Sequence, residues 1–153
     1  MAILVSFALI RMESLWWLCT GRSTSSMQWT DITVSTEFSF LRFHLTYPVH
    51  YGTQNKLREE GIPCGNHRAR QMTKKDYEEF DYMIGMEQWN IRNINRIIRK
   101  DPEHKVHLLL EYTGEARDIA DPWYTGNFDV TYDDVKEGCE AFLQYLMENE
   151  PLY

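Results

Sequence analysis

The sequence predicts an α/β fold with a parallel sheet, and two observations carry that prediction. Short apolar runs at residues 81–86 and 106–110 alternate with longer stretches whose apolar residues recur at helical spacing. Strands that alternate with helices imply a parallel sheet with helices on its faces. From residue 48 onward, caps, apolar stripes and stop signals also agree with one another. Agreement of that kind marks a chain that specifies one structure.

Taken in order, residues 1–47 read poorly. Residues 2–10 suit a core strand. Residues 13–18 suit a short helix, but Trp16-Trp17 beside Leu15 and Leu18 leaves it no polar face. Residues 20–40 are rich in Ser and Thr, and residues 33–43 pass for a strand with loose alternation. After residue 48 the reading firms. Residues 53–60 suit a helix stopped by Gly61 and Pro63. Thr73-Lys74-Lys75-Asp76 resembles a capping box, with Tyr77 and Phe80 on one face behind it. Asp81-Tyr82-Met83-Ile84-Gly85-Met86 is a buried strand. Residues 87–99 form a helix with Ile91, Ile94 and Ile98 inside and Arg92, Arg96 and Arg99 outside, ended by Asp101-Pro102. Residues 106–110 form a short strand. Thr131 caps a last helix whose Val135, Cys139, Phe142 and Leu146 make one stripe.

Composition narrows the functional classes. At 153 residues the chain is read as a single domain, with 1–47 an atypical segment and 48–153 the consistent portion. The net charge of −7 argues against general nucleic-acid binding. Basic residues do gather at His67-Arg68-Ala69-Arg70 and between Arg92 and Lys100, as solvated faces. The apolar run at 1–10 ends at Arg11 and is too short to span a bilayer, so no membrane is expected. Cys19, Cys64 and Cys139 show neither metal spacing nor a paired framework, which places the protein in a reducing cytoplasm.

The chemistry gathers at Ala120-Asp121-Pro122-Trp123-Tyr124-Thr125-Gly126-Asn127-Phe128. Proline fixes φ and lacks an N–H, so this run is a poor helix or inner strand. It also pushes Asp121 to extended geometry, projecting from a rigid turn. Two rings behind the acid can wall a pocket, where a carboxyl can hold a proton for a leaving group. Taken alone, these residues better describe an ordinary Asp-Pro turn with two rings packed inward, since Asp and Pro are common turn formers. Ligands of parallel sheets bind beyond the carboxyl ends of the strands, and this loop follows a strand.

Ala69-Arg70-Gln71-Met72-Thr73 and Phe80-Asp81-Tyr82-Met83-Ile84-Gly85-Met86-Glu87 resemble the middle of the low-molecular-weight protein tyrosine phosphatase family. Asp121-Pro122-Trp123-Tyr124 and the helix over 132–146 resemble its end. The resemblance implies a four-stranded parallel sheet flanked by helices. It implies a cysteine thiolate that attacks phosphotyrosine, a Cys-x-x-x-x-x-Arg-Ser loop that wraps the phosphate, and no metal or other cofactor. It gives Asp121 the role of general acid toward the leaving phenol, and Trp123 and Tyr124 that of pocket walls. The implied partner is a phosphotyrosine protein or a small aryl phosphate. Met86-Glu87 stands where the family has Met-Asp, a departure expected to lie outside the chemistry.

The departure that matters is at the start, and the Cys-x-x-x-x-x-Arg loop is read as missing from the sequence altogether. Ser6 could stand in the nucleophile's place, but Arg11 comes one residue early. Leu18-Cys19-Thr20-Gly21-Arg22-Ser23 has the right residue types, which makes Cys19 the nucleophile candidate and Arg22 the phosphate-binding one. Only two residues separate them, too few to build a nest of N–H groups around a phosphate. Three accounts compete: a wrong translation of residues 1–46, a non-catalytic relative that binds phosphoproteins or scaffolds a partner, and an active enzyme built on Cys19. The chain as written is expected to be inactive.

Overall fold

The computed structural model describes residues 7–10, 33–34, 49–62 and 71–149, with the backbone alone for the first two segments and for Trp123. Readings that fall on residues 11–32 and 35–48, the proposed helix at 13–18 among them, lie outside the described residues.

The sheet is built around β3 (Tyr82–Gly85), which lies between β1 (Phe7–Ile10) and β4 (Val106–Leu108). The short β2 (Thr33–Val34) adds to the far side of β1. β3 and β4 run parallel, pairing Met83 with Val106 and Gly85 with Leu108, as the alternation of strand and helix predicts. β1 runs antiparallel to both β3 and β2, so the sheet is mixed rather than parallel throughout. An apolar run reads the same in either direction, and only pairing with distant residues sets its orientation.

β3 is buried at all four positions because a core lies on each face. Met83 joins Met72, Phe80, Ile94 and Ile98 on one side. Tyr82 and Ile84 join Leu109, Leu110, Ile119, Phe142 and Leu146 on the other. A strand buried on both faces needs no polar alternation, and that is why residues 81–86 read as a continuous apolar run. Its end is close-packed too: a Cβ on Gly85 would stand 2.8 Å from Ile91 Cδ1.

Five α-helices lie among the described residues. α1 (Tyr51–Glu59) starts at His50, whose Nδ1 accepts from the Gly52 N–H at 3.2 Å. It stops where Gly61 takes φ +71, the left-handed geometry that ends helices cheaply only at glycine. α2 (Asp76–Glu79) is a single turn. The proposed capping box forms in a different way: Asp76 is the first helical residue, and its buried carboxylate accepts from the Thr73 N–H at 2.6 Å and the Thr73 hydroxyl at 3.1 Å.

α3 (Gln88–Ile98) buries Ile94 and Ile98 as its spacing predicts, together with Asn90 and Asn93, which its polarity did not suggest. Asn90 is inside because its side-chain oxygen caps the helix, accepting the N–H groups of Met86 and Glu87 at 3.0 Å each. Arg99 closes α3 at φ +69, two residues before the expected Asp101-Pro102 stop. Asp101 instead organises the turn into β4: its oxygens accept from Tyr77 Oη at 2.8 Å and from the N–H groups of Lys105 and Val106 at 2.9 and 3.2 Å. The predicted strand at 106–110 is cut short, because Leu109–Thr113 turn into a 3-10 helix.

The last helix begins three residues before the expected cap at Thr131. α4 (Pro122–Thr125) is one turn, and α5 spans Phe128–Asn149. Asn127 Oδ1 accepts from the Val130 N–H at 3.1 Å and supplies the cap. Along α5 the buried residues are Thr131, Gly138, Phe142 and Leu146. Cys139, read into the stripe, is exposed, and Gly138 beside it takes the inward position. The glycine lets α5 approach the 3-10 helix: a Cβ there would lie 2.5 Å from Leu109 Cγ.

Candidate active site

The Asp121 loop is tied down at both ends. Ile119 donates its N–H to the Met86 carbonyl at 2.8 Å, which pins the loop to the end of β3. Asp118 Oδ1 accepts from the Gln88 N–H at 2.8 Å, at the start of α3. On the other side, Thr131 Oγ1 donates to the Ala120 carbonyl at 2.8 Å, so α5 holds the backbone immediately before Asp121. That is what Thr131 does in place of capping. The Asp121 carbonyl accepts from the N–H groups of Tyr124 and Thr125 at 3.1 and 3.3 Å and begins α4. The run was expected to resist helix, yet Pro122 occupies the first helical position, where its missing N–H costs nothing. Gly126 at φ +70 ends the turn.

Asp121 is half-buried and borders a cavity of about 200 Å³ between α1, the end of β3 and α5. Glu87, Asn90, Lys56 and Thr131 give it polar groups, and Phe128 and Tyr132 give it rings. Neither ring was given a role in the sequence, where Phe128 read as the end of the Asp121 loop and Tyr132 as the first turn of an amphipathic helix. Tyr124 is 86 % exposed and stands outside the cavity. Lys56 joins α1 to α5: its Nζ lies 2.7 Å from both Glu60 and Asp129, and 5.0 Å from the Tyr132 ring centroid. Those carboxylates keep the Lys56 ammonium strongly protonated.

Glu87 faces the same cavity, so the change from Met-Asp to Met86-Glu87 falls at the site and not outside it. Burial pushes the Glu87 carboxyl above its ordinary value, and the nearby charges of Asp118 and Asp121 push it further. Arg92 pulls against them. Cys19 and Arg22 lie outside the described residues, as do Ser6 and Arg11. The bare Cys-x-x-x-x-x-Arg spacing does stand in the chain, at Cys64-Gly65-Asn66-His67-Arg68-Ala69-Arg70, followed by Gln71 instead of serine. It too lies outside the described residues. Among the described residues no group of His, Cys, Asp and Glu could hold a metal ion, and no helix is long and apolar enough to cross a membrane.

An acid-bearing loop and a cavity beyond the carboxyl end of β3 define an α/β protein of the kind that binds ligands at the edge of its sheet. The chain belongs to the low molecular weight phosphotyrosine protein phosphatase family, whose profile matches residues 41–152. That match begins a little before the resemblance seen from residue 48. The chain is 35 % identical over 112 residues to the low molecular weight protein-tyrosine-phosphatase YfkJ of Bacillus subtilis, covering 72 % of each. It is 34 % identical over 113 residues to PtpA of Staphylococcus aureus strain Newman, covering 72 % of this chain and 70 % of that one. The crystal structure of YfkJ superposes with a TM-score of 0.67 over 71 % of this chain and 70 % of its own. That of the Streptococcus pyogenes phosphatase SP-PTP superposes with a TM-score of 0.62 at 33 % identity, over 72 % and 71 %.

Proposed function

We propose that this chain carries the acid half of a phosphotyrosine phosphatase site and does not turn over phosphate as written. The observation that carries the reading is the placement of Asp121, half-buried at a cavity and fastened on both sides to β3 and α5. In the complete reaction a thiolate attacks phosphorus, and the acid protonates the departing phenol. The same carboxylate then draws a proton from the water that hydrolyses the phosphocysteine. Asp121 is the group we assign to both steps. Trp123 and Tyr124 are assigned as walls of the complete pocket, the role that the resemblance gives them. Cys19 remains the nucleophile candidate and Arg22 its phosphate partner, though two intervening residues cannot encircle a phosphate. The substrate class is a phosphotyrosine protein or an aryl phosphate, in a reducing cytoplasm.

The remaining family feature, a four-stranded parallel sheet, we propose for a chain whose amino-terminal segment carries the phosphate loop. Residues 48–153 are then the phosphatase portion of a single domain and residues 1–47 an atypical segment. A second reading, a non-catalytic relative that binds phosphoproteins, is favoured by the same cavity standing without a recognisable loop before it. An aryl phosphate assay on the purified chain separates the accounts. We expect no turnover above background. Turnover that vanishes in Cys19→Ser would establish the enzyme built on Cys19 instead, and turnover lost in Cys64→Ser would move the nucleophile to the second cysteine.

A further inference from the structure

The outer face of α3 carries Trp89, Arg92 and Arg96, and Arg99 and Lys100 follow at its end, all five exposed. Residues three and four apart on a helix share a face, so Trp89, Arg92 and Arg96 form one stripe, with Arg99 and Lys100 just past the helix end. From Trp89 to Arg96 it runs about 10 Å along the helix axis. The guanidinium carbons of Arg92 and Arg96 lie 5.3 and 5.4 Å from the Trp89 ring centroid. Cation–π attraction holds both heads against one ring, so they lose less freedom on binding a ligand. A guanidinium keeps its N–H edge for a carboxylate even when its face rests on a ring. Arg96 spends one of its donors on Asn93 Oδ1, at 3.4 Å.

None of the four cations meets a carboxylate among the described residues, whereas Lys56, Lys105 and Arg117 all do. This happens in a chain of net charge −7, where partners for cations are abundant. The stripe also begins at the site. Glu87, on the cavity wall, immediately precedes α3, and Arg92 lies close enough to act on its carboxyl.

We propose that this stripe docks an acidic segment of a phosphotyrosine-bearing protein, with the phosphotyrosine directed to the Asp121 cavity. The proposal rests on the reading of that cavity given above and adds the class of partner. Carboxylates of an Asp- or Glu-rich segment match the two oriented guanidinium forks, and one apolar side chain can cover the open face of Trp89, which is 49 % exposed. The charge of −7 repels a long polyanion, which favours a short acidic peptide over a nucleic acid.

Fluorescence anisotropy of labelled peptides on the full chain provides the test. Four peptides are compared: acidic with tyrosine, acidic with phosphotyrosine, neutral with phosphotyrosine, and basic with tyrosine. The acidic tyrosine peptide is expected to bind, to weaken as salt rises, and to bind about tenfold more weakly to the double variant Arg92→Ala, Arg96→Ala. Alanine at exposed helical positions keeps α3 intact, and circular dichroism verifies it. Equal binding of the acidic and basic peptides, or acidic binding unchanged in the double variant, overturns the proposal. So does retention of a single-stranded oligonucleotide in place of the acidic peptide. Failure of the neutral phosphotyrosine peptide alone speaks against the Asp121 cavity and leaves the stripe standing.

Discussion

Asp121 and Glu87 share one cavity, and their chemistry can be separated by substitution. In a chain whose phosphate loop has been restored, Asp121→Asn is expected to lower turnover by about a hundredfold or more, the usual contribution of a positioned acid. The loss should grow for poor leaving groups, which need the proton most. Equal, small losses on every aryl phosphate would leave Asp121 a turn residue. Glu87 makes a prediction about stability. Its folded pKa is raised by burial first, then by Asp118 and Asp121. A carboxyl raised on folding supports the native state below its unfolded pKa of about 4.3. That support is lost as pH climbs through the raised folded value. Glu87→Gln keeps an acceptor oxygen for the Asn90 side-chain N–H and carries no charge. Unfolding titrations should therefore find it more stable than the parent chain at pH 7, by about 0.5 kcal/mol after allowing for the solvent that reaches Glu87. The difference should close at pH 4, and a gap of the same size at both pH values would remove the electrostatic account. The place of Asp121 beside a cavity was legible from the proline next to it and the resemblance around it. Glu87, Phe128 and Tyr132 were not, because a helix start and an amphipathic helix look alike whether or not a cavity lies against them.

At the scale of elements, α5 approaches the 3-10 helix at Leu109–Thr113 closely at Gly138. Gly138→Ala should show how much depends on it. Alanine is worth up to about 1 kcal/mol over glycine inside a helix. Here its Cβ would lie 2.5 Å from Leu109 Cγ and 3.0 Å from Leu109 Cδ2. Leu109 is 3 % exposed, so its branch point has nowhere to retreat. Overpacking of that kind costs about 1–3 kcal/mol, and we expect a lower melting temperature in spite of the better helix former. A higher melting temperature would mean that the two elements separate at no cost. The existence of α3 and α5 was readable, since Ile94, Ile98, Phe142 and Leu146 recur at helical spacing and are all buried, whereas the short turns at Leu109–Thr113 and Pro122–Thr125 were not. Nor were the boundaries. Thr131 looked like a cap because threonine is a good one, but the position was taken by Asn127, and Thr131 was left to fasten the Ala120 carbonyl.

For the whole molecule, burial is unequal and stability should follow it. Met83, Ile84 and Ile94 are at most 1 % exposed and sit where β3 meets its two cores, whereas α1 buries no residue at all. Amide hydrogen exchange should be slowest at Met83, Ile84 and Ile94, opening only with global unfolding, and faster along α1 by local opening. Equal protection of α1 and β3 would show that the Lys56 ion pairs bind α1 as firmly as a core does. Membership of the phosphatase family accounts for the layering, and the sequence alone carried enough of it to be recognised: the apolar run of β3, the stripes of α3 and α5, and the Asp121-Pro122 turn.

Those features are local, set by spacing, by proline geometry and by which side chains avoid water, so they are written in consecutive residues. Only the tertiary structure decided the rest. It turned β1 antiparallel, brought Glu87 into the Asp121 cavity, exposed Tyr124, and gave the cations of α3 no carboxylate partner among the described residues. Each of these depends on which distant residues come to lie together. Pairing, cavity walls and charge partners join parts of the chain that sequence spacing cannot connect.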